Sequence, residues 1–214
     1  MSGATGRVKD YILNDTKKLG RPRSFDYDAA LRQAMHVFWT MGYDGASLRD
    51  LKGAMGITGP SLYAAFGDKR ELYLKTIDHY RDAEGCAPLV AFEAEEDIAA
   101  AIRAFLVEII DSATGHESGA KGCFLASSVA TTAGQVDGVS ERLQAAIEEA
   151  QARLTARFER EVGKGTLREG FPSEERAALL FDIRQGYMFR GRAGVAREAL
   201  MRDIDARVRL LLSE

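Results

Sequence analysis

The segment Gly56-Ile57-Thr58-Gly59-Pro60-Ser61-Leu62-Tyr63-Ala64-Ala65-Phe66-Gly67-Asp68-Lys69 constrains the fold more than any other part of the chain. Gly56 and Gly67 bracket it, and Pro60 stands near a first helical position, where its missing N–H costs little. With polar Thr58 at the front, it reads as a short helix starting at Thr58 or Gly59 and presented at a sharp turn. Leu62 and Phe66 point to one side, which leaves Thr58, Gly59, Ser61 and Tyr63 facing outward. Upstream, Tyr27, Leu31, Ala34, Phe38 and Met41 recur on one helical face until Gly42, where a terminating glycine is expected. Ser47 is a candidate N-cap for Leu48, Leu51, Ala54 and Met55, and Gly56 ends that second helix. Ile57 is expected to plug the corner, and Asp68 to cap a fourth helix running to about Arg81. A helix, a brief glycine-containing turn and a short helix with a polar start form the helix-turn-helix geometry, in which the first residues of the second helix meet base edges of DNA.

Residues from about Arg21 to Tyr80 resemble the DNA-binding domain of the tetracycline-repressor (TetR/AcrR) family of bacterial transcription regulators. Phe38, Gly42-Tyr43, Ser47, Leu51, Gly56-Ile57, Ser61-Leu62-Tyr63, Phe66, Lys69 and Leu72 carry the resemblance, and beyond them it rests on length and helical pattern alone. The resemblance implies that Ser47 touches a phosphate, that Thr58, Gly59, Pro60 and Ser61 face the major groove or its rim, that Tyr63 hydrogen-bonds a phosphate and that Lys69 meets the DNA backbone. Free N–H groups and the positive dipole end at a helix start favour phosphate, and a lysine adds a full charge. Each residue also has a plainer role, Ser47 and Thr58 as caps, Tyr63 as half-buried packing and Lys69 as a solvated charge; the ordered set favours DNA.

Between Thr58 and Phe66 there is no Arg, Lys, Asn or Gln, the residues that read guanine or adenine in bidentate fashion. Ala64 and Ala65 stand where the family often carries a polar side chain, so direct base readout is expected to be modest. The arm Gly20-Arg21-Pro22-Arg23 is the expected compensation, because arginines on a Pro-stiffened strand suit a narrow minor groove. Residues 1–20 are expected to form a disordered, solvated tail.

The chain is formally −3, yet residues 1 to 70 hold eleven Lys or Arg against seven Asp, and residues 71 to 214 hold eighteen basic against twenty-five acidic residues. The halves are thus +4 and −7, a polarity that draws one end to a polyanion and keeps the other off it. An excess of +4 is small for a general nucleic-acid coat, whose affinity comes from counterion release. The most apolar run, Ile98 to Ile110, is interrupted by Arg103 and Glu108, so no membrane span is expected. The polar, basic N-terminus does not read as a secretory signal, and a cytoplasmic location is expected. Cys86 and Cys123 are too few for a zinc site, and no cofactor or metal is expected. His36, His79 and His116 lie on separate segments without a catalytic motif, so an enzyme is not expected.

After the fourth helix, punctuation at Gly85–Pro88, Thr114–Gly122, Gly134–Gly138, Gly163–Pro172 and Arg192–Gly194 delimits helices at about 94–113, 122–133, 139–162, 173–191 and 195–213. Without strand-like alternation, the expected fold is all-α with about nine helices: a helix-turn-helix domain over 21–80 and an effector-binding and dimerisation domain over 81–214. Ile183 and Tyr187 on one late helix, and Leu200, Ile204, Val208 and Leu211 on the next, are the candidate dimer stripe, with an intramolecular core as the competing role. Phe105, Ile109, Phe124, Thr131, Gln185 and Tyr187 are candidate lining for a small-molecule pocket, against simple core packing. Cys123 has only Lys121 nearby in sequence to activate its thiol. The resulting reading is a homodimeric repressor that binds a double-stranded, roughly palindromic operator and is released by a small molecule. A DNA-binding adaptor controlled by a protein partner is the alternative.

Overall fold

A computed structural model describes residues 25–82, 87–115 and 122–213, and these contain helices and no strands. The helices are α1 (Tyr27–Gly45), α2 (Leu48–Met55), α3 (Gly59–Phe66), α4 (Lys69–Asp82), α5 (Ala87–Ala94), α6 (Ile98–Thr114), α7 (Phe124–Ser127), α8 (Val139–Gly163), α9 (Ser173–Arg192), α10 (Arg197–Met201) and α11 (Ile204–Leu212), with a 3-10 turn over Val129–Thr132. The all-α architecture is the expected one. Arg21 and Arg23 lie outside the described residues, as does the segment 1–20.

Local signals start and stop most of these helices. Asp26 caps α1 by accepting from the Ala29 amide at 3.0 Å, and Asp97 caps α6 by accepting from the Ala100 amide at 2.8 Å. Gly42 has a positive φ of 73° and kinks α1 rather than ending it, since helix resumes as far as Gly45. The buried face of α1 is Ala30, Leu31, Ala34, Met35, Phe38 and Trp39, whereas Met41 is 47% exposed. Trp39 takes the inward place because its ring meets Tyr80 of α4 at 5.5 Å and Phe124 of α7 at 5.7 Å. In α2, Leu51 and Met55 are buried and Ala54 is exposed.

Three boundaries differ from expectation. The Gly85–Pro88 break gives way to α5, because Pro88 falls in a first turn that needs no donor there. The expected helix at 122–133 is a single turn, α7, followed by the 3-10 turn. The last helix is divided at Arg202-Asp203 into α10 and α11.

Helix α6 is the axis of the body. Its residues Ile98, Ala101, Ile102, Phe105, Leu106, Ile109, Ile110 and Ala113 are all buried, because α5, α9, α10 and α11 surround it. This arrangement consumes the expected dimer stripe: Ile183, Tyr187, Leu200, Ile204, Val208 and Leu211 are all buried within the chain itself, where α9 and α11 lean on α6. Periodicity had identified a real apolar face, and the intramolecular core claimed it.

The N-terminal helices and the body share one core. Phe38 and Tyr43 of α1, Tyr73 and Tyr80 of α4 and Phe124 of α7 form a chain of ring contacts, with Phe38 to Tyr73 at 4.8 Å and Tyr80 to Phe124 at 5.7 Å. Polar ties run beside it: the Ser128 hydroxyl donates to the Phe38 carbonyl at 3.0 Å, and the Tyr73 and Thr132 hydroxyls lie 3.1 Å apart. Arg142 of α8 donates from Nε to both carboxylate oxygens of Asp78 on α4 at 3.1 Å. Helix α4 is thus bonded on one side to the reading head and on the other to the body.

Candidate nucleic-acid interface and body cavity

The reading head is built from two capped helices and a turn. At α2, the Asp50 amide donates to Ser47 Oγ and the Ser47 amide donates to Asp50 Oδ2, each at 3.1 Å, while the Ser47 hydroxyl also donates to Asp50. Those hydrogen bonds from Ser47 hold the Asp50 carboxyl below its usual range. Ser47 is therefore occupied as a reciprocal cap. Gly56 adopts a left-handed φ of 65°, which closes α2 and swings the chain into α3. Ile57 is partly buried at that corner.

Thr58 caps α3: its Oγ1 accepts from the Ser61 amide at 3.4 Å and lies 3.0 Å from the Ser61 hydroxyl. Leu62 and Phe66 are fully buried, and the Phe66 ring stacks on Tyr27 at 4.6 Å. Anchored by that face, α3 turns Thr58, Pro60, Tyr63 and Ala64 to solvent, with Gly59 and Ser61 part-exposed between them; Tyr63 is 55% exposed. The first turn carries no acid, so its positive dipole end is not offset by a side chain. At the other end, Lys75 Nζ donates to the Phe66 carbonyl at 2.8 Å and closes the helix.

Lys69 opens α4 with its ammonium 4.5 Å from the centroid of the Tyr43 ring. A cation that sequence reading passed over lies nearer the tip. A Cβ on Gly59 would stand 3.8 Å from Lys52 Cδ and 4.0 Å from Lys52 Nζ, so the Lys52 side chain runs along the start of α3. Its available signal was position, a lysine in the last turn of α2 directly before the α2–α3 turn.

In the body, α4 to α9 enclose a cavity of about 240 Å³. Leu89, Phe105, Leu125, Ile147 and Phe181 supply its apolar wall; Tyr80, Arg184 and Gln185 supply polar groups, and Arg81, Glu149 and Arg153 add charges that remain part-exposed. Phe105 and Gln185 thus lie on the wall. Ile109, Phe124 and Tyr187 do not: they are buried in the core beside it, because the faces of α6, α7 and α9 that carry them meet other helices. Thr131 is also absent from the wall; its hydroxyl donates back to the Ser128 carbonyl at 2.6 Å and serves the 3-10 turn.

Behind the wall, Cys123 is buried, and Arg184 donates from Nη2 to its sulfur at 3.4 Å. Burial by itself pushes this thiol up, but the Arg184 guanidinium and the Tyr80 hydroxyl outweigh it and hold the thiol below its ordinary range. The sequence offered only Lys121 as a neighbouring base; the fold supplies Arg184 from α9.

Three comparisons bear on this geometry. A family model described as "Bacterial regulatory proteins, tetR family" matches residues 30–76. The chain is similar to the HTH-type transcriptional repressor ComR of Escherichia coli (strain K12), with 30% identity over 197 residues, covering 91% of this chain and 92% of that protein. The HTH-type transcriptional repressor BdcR of the same organism is 33% identical over 104 residues, 49% of this chain and 51% of its own length. Among solved structures, a cysteine mutant of the TetR family transcriptional regulator CifR, complexed with 26bp double-strand operator DNA, is 31% identical with a TM-score of 0.79, covering 88% of this chain and 98% of that one.

Proposed function

The chain belongs to the TetR family of bacterial regulatory proteins, and on that premise we propose that it is a homodimeric transcriptional repressor. It grips an operator through two copies of α3 and lets go when a small molecule occupies the body cavity. The observation that carries the reading is the first turn of α3: acid-free, exposed and held rigidly from behind by Leu62 and Phe66. Thr58, Gly59, Pro60 and Ser61 approach the major groove, Tyr63 and Lys69 meet phosphates, and Lys52 adds a charge beside the start of α3. Ser47, occupied by Asp50, contributes mainly by fixing α2. The Arg21 and Arg23 arm reaches the minor groove.

Dimerisation falls to the outward faces of α9 and α11. Phe189 is 75% exposed and Leu210 53% exposed, and a partner's matching face would gain by taking both out of water. A Cβ on Gly186 would meet nothing within 4 Å, so this position leaves room for close approach of a second helix. Two-fold pairing spaces two copies of α3 for successive major grooves, roughly 34 Å apart.

Release is carried by α4, whose Tyr80 lines the cavity while its first residue, Lys69, belongs to the reading head. A small molecule that prefers a rotated α4 shifts the population away from the DNA-binding arrangement by its differential affinity. The preformed cavity favours a small-molecule effector over control by a protein partner. Among the described residues no helix is long and apolar enough to cross a membrane, which accords with work on DNA in the cytoplasm. The test begins with operator fragments selected from a random DNA pool. The double variant Thr58→Ala, Tyr63→Ala is expected to bind them at least about tenfold more weakly, with a comparable loss on unrelated duplex. Unchanged affinity in gel-shift titrations removes α3 from the interface.

A further inference from the structure

We propose that the cavity takes an amphipathic organic anion, a carboxylate on an apolar body, with Arg184 as its counter-charge; this rests on reading the cavity as an effector site. The charges around the cavity single out Arg184. Arg81 is paired with Asp82 at 2.8 Å and stands within 3.9 Å of Glu149, and Arg153 donates to both oxygens of Glu93 at 2.8 Å. Arg184 pairs with no carboxylate among the described residues. Its Nη1 donates to the Gln185 side-chain oxygen at 2.8 Å and its Nη2 to the Cys123 sulfur at 3.4 Å, while its guanidinium stands 5.4 Å from the Phe181 ring centroid.

A guanidinium carries about five N–H donors in a fixed fork, so two bonds leave about three unused. A cation beside Leu125, Phe105 and Phe181 is poorly solvated, and a bidentate carboxylate answers both its charge and its geometry. Tyr80, on the same wall, stays a neutral phenol, because burial pushes its hydroxyl well above the ordinary phenol range and the adjacent Cys123 adds to that effect; that hydroxyl is engaged with Cys123, so the charge recognition falls to Arg184. The apolar remainder sets the size. The volume of about 240 Å³ equals about eight liquid-water volumes of roughly 30 Å³, room for a medium-chain or aromatic acid of about ten heavy atoms.

The rival counter-charge is Cys123 itself. A thiolate already neutralising Arg184 would leave an acid no advantage over a neutral ligand of the same shape. Calorimetric titration of the full chain with two matched pairs, octanoate against octanamide and cinnamate against cinnamamide, separates these cases. At least one acid is expected to bind about tenfold or more tightly than its amide, as a charge-assisted hydrogen-bonded pair should. Arg184→Gln should bring that acid-to-amide ratio to about one, and Arg184→Lys, which keeps the charge but loses the fork, should retain part of it. Equal binding of acid and amide by the unaltered chain, or an acid preference that persists in Arg184→Gln, overturns the anion assignment and leaves the effector cavity standing. Failure of all four compounds to bind overturns the cavity reading as well.

Discussion

Two glycines on α9, five residues apart in sequence, face opposite environments. A Cβ at Gly191 would lie 2.5 Å from Ala113 Cβ and 2.8 Å from the Ala113 carbonyl oxygen, where α9 crosses α6. Backbone and a buried Cβ cannot move aside as the end of a flexible side chain can. Gly191→Ala is therefore expected to cost about 1–3 kcal/mol in chemical denaturation. Gly186 meets nothing within 4 Å, and there the same substitution should stabilise the isolated chain, since alanine outranks glycine in a helix by about 1 kcal/mol. Both positions read as small residues on one late helix. Only the crossing with Ala113 tells them apart.

Helix α5 is the element that sequence reading lost, and its attachments explain how so short a segment persists. Arg157 of α8 donates to the Phe92 and Glu96 carbonyls at 2.9 and 3.0 Å, satisfying acceptors at the end of α5 and in the loop beyond it. The Arg157 and Glu161 side chains are each only 2% exposed and meet at 2.9 Å, and Lys164 adds a bond to Glu161 at 3.1 Å. Burial by itself pushes the Glu161 carboxyl up, but the hydrogen bonds from Lys164 and Arg157 prevail and hold it below its usual range. Because the folded value is depressed, this contribution is fully present above the unfolded carboxylate value of about 4.3 and is lost as pH falls through the lower folded value. Glu161→Gln should cost about 3 kcal/mol near neutrality. The gap between variant and parent should then narrow below about pH 4, which urea titrations at several pH values would reveal. A gap independent of pH would mean that the pair does not titrate on unfolding.

At the scale of the whole molecule, the +4 of residues 1 to 70 comes from residues 1 to 24, with six Lys or Arg against two Asp, while residues 25 to 70 balance at five against five and the acidic excess lies in residues 71 to 214. The proposed dimer uses the two large apolar side chains that α9 and α11 leave exposed among the described residues, Phe189 and Leu210, with Phe189 the larger. Phe189→Asp should leave stability near that of the parent, because the side chain is already in water, yet yield monomers in sedimentation and weaken operator binding. A dimer that survives Phe189→Asp puts the interface on another face. Leu200→Asp and Ile204→Asp, at positions with no exposure, would be expected to unfold the chain rather than dissociate it.

The sequence by itself determined the helix starts and turns of the reading head: the Asp26, Ser47 and Thr58 caps, the left-handed turn at Gly56, and the pair Leu62 and Phe66 that aims α3. These are decided within three or four residues, because a cap satisfies its own helix and a positive φ is a property of one residue. Tertiary structure decided which apolar faces were spent inward, turning Leu200, Ile204, Val208 and Leu211 into core and leaving Phe189 outside. It also brought Arg184 to Cys123 and Tyr80, and closed a cavity whose wall includes Phe105 and Gln185 but not Ile109 or Phe124. Periodicity marks a stripe on one helix, but burial is a relation between two surfaces, and the second surface comes from residues far away in the chain.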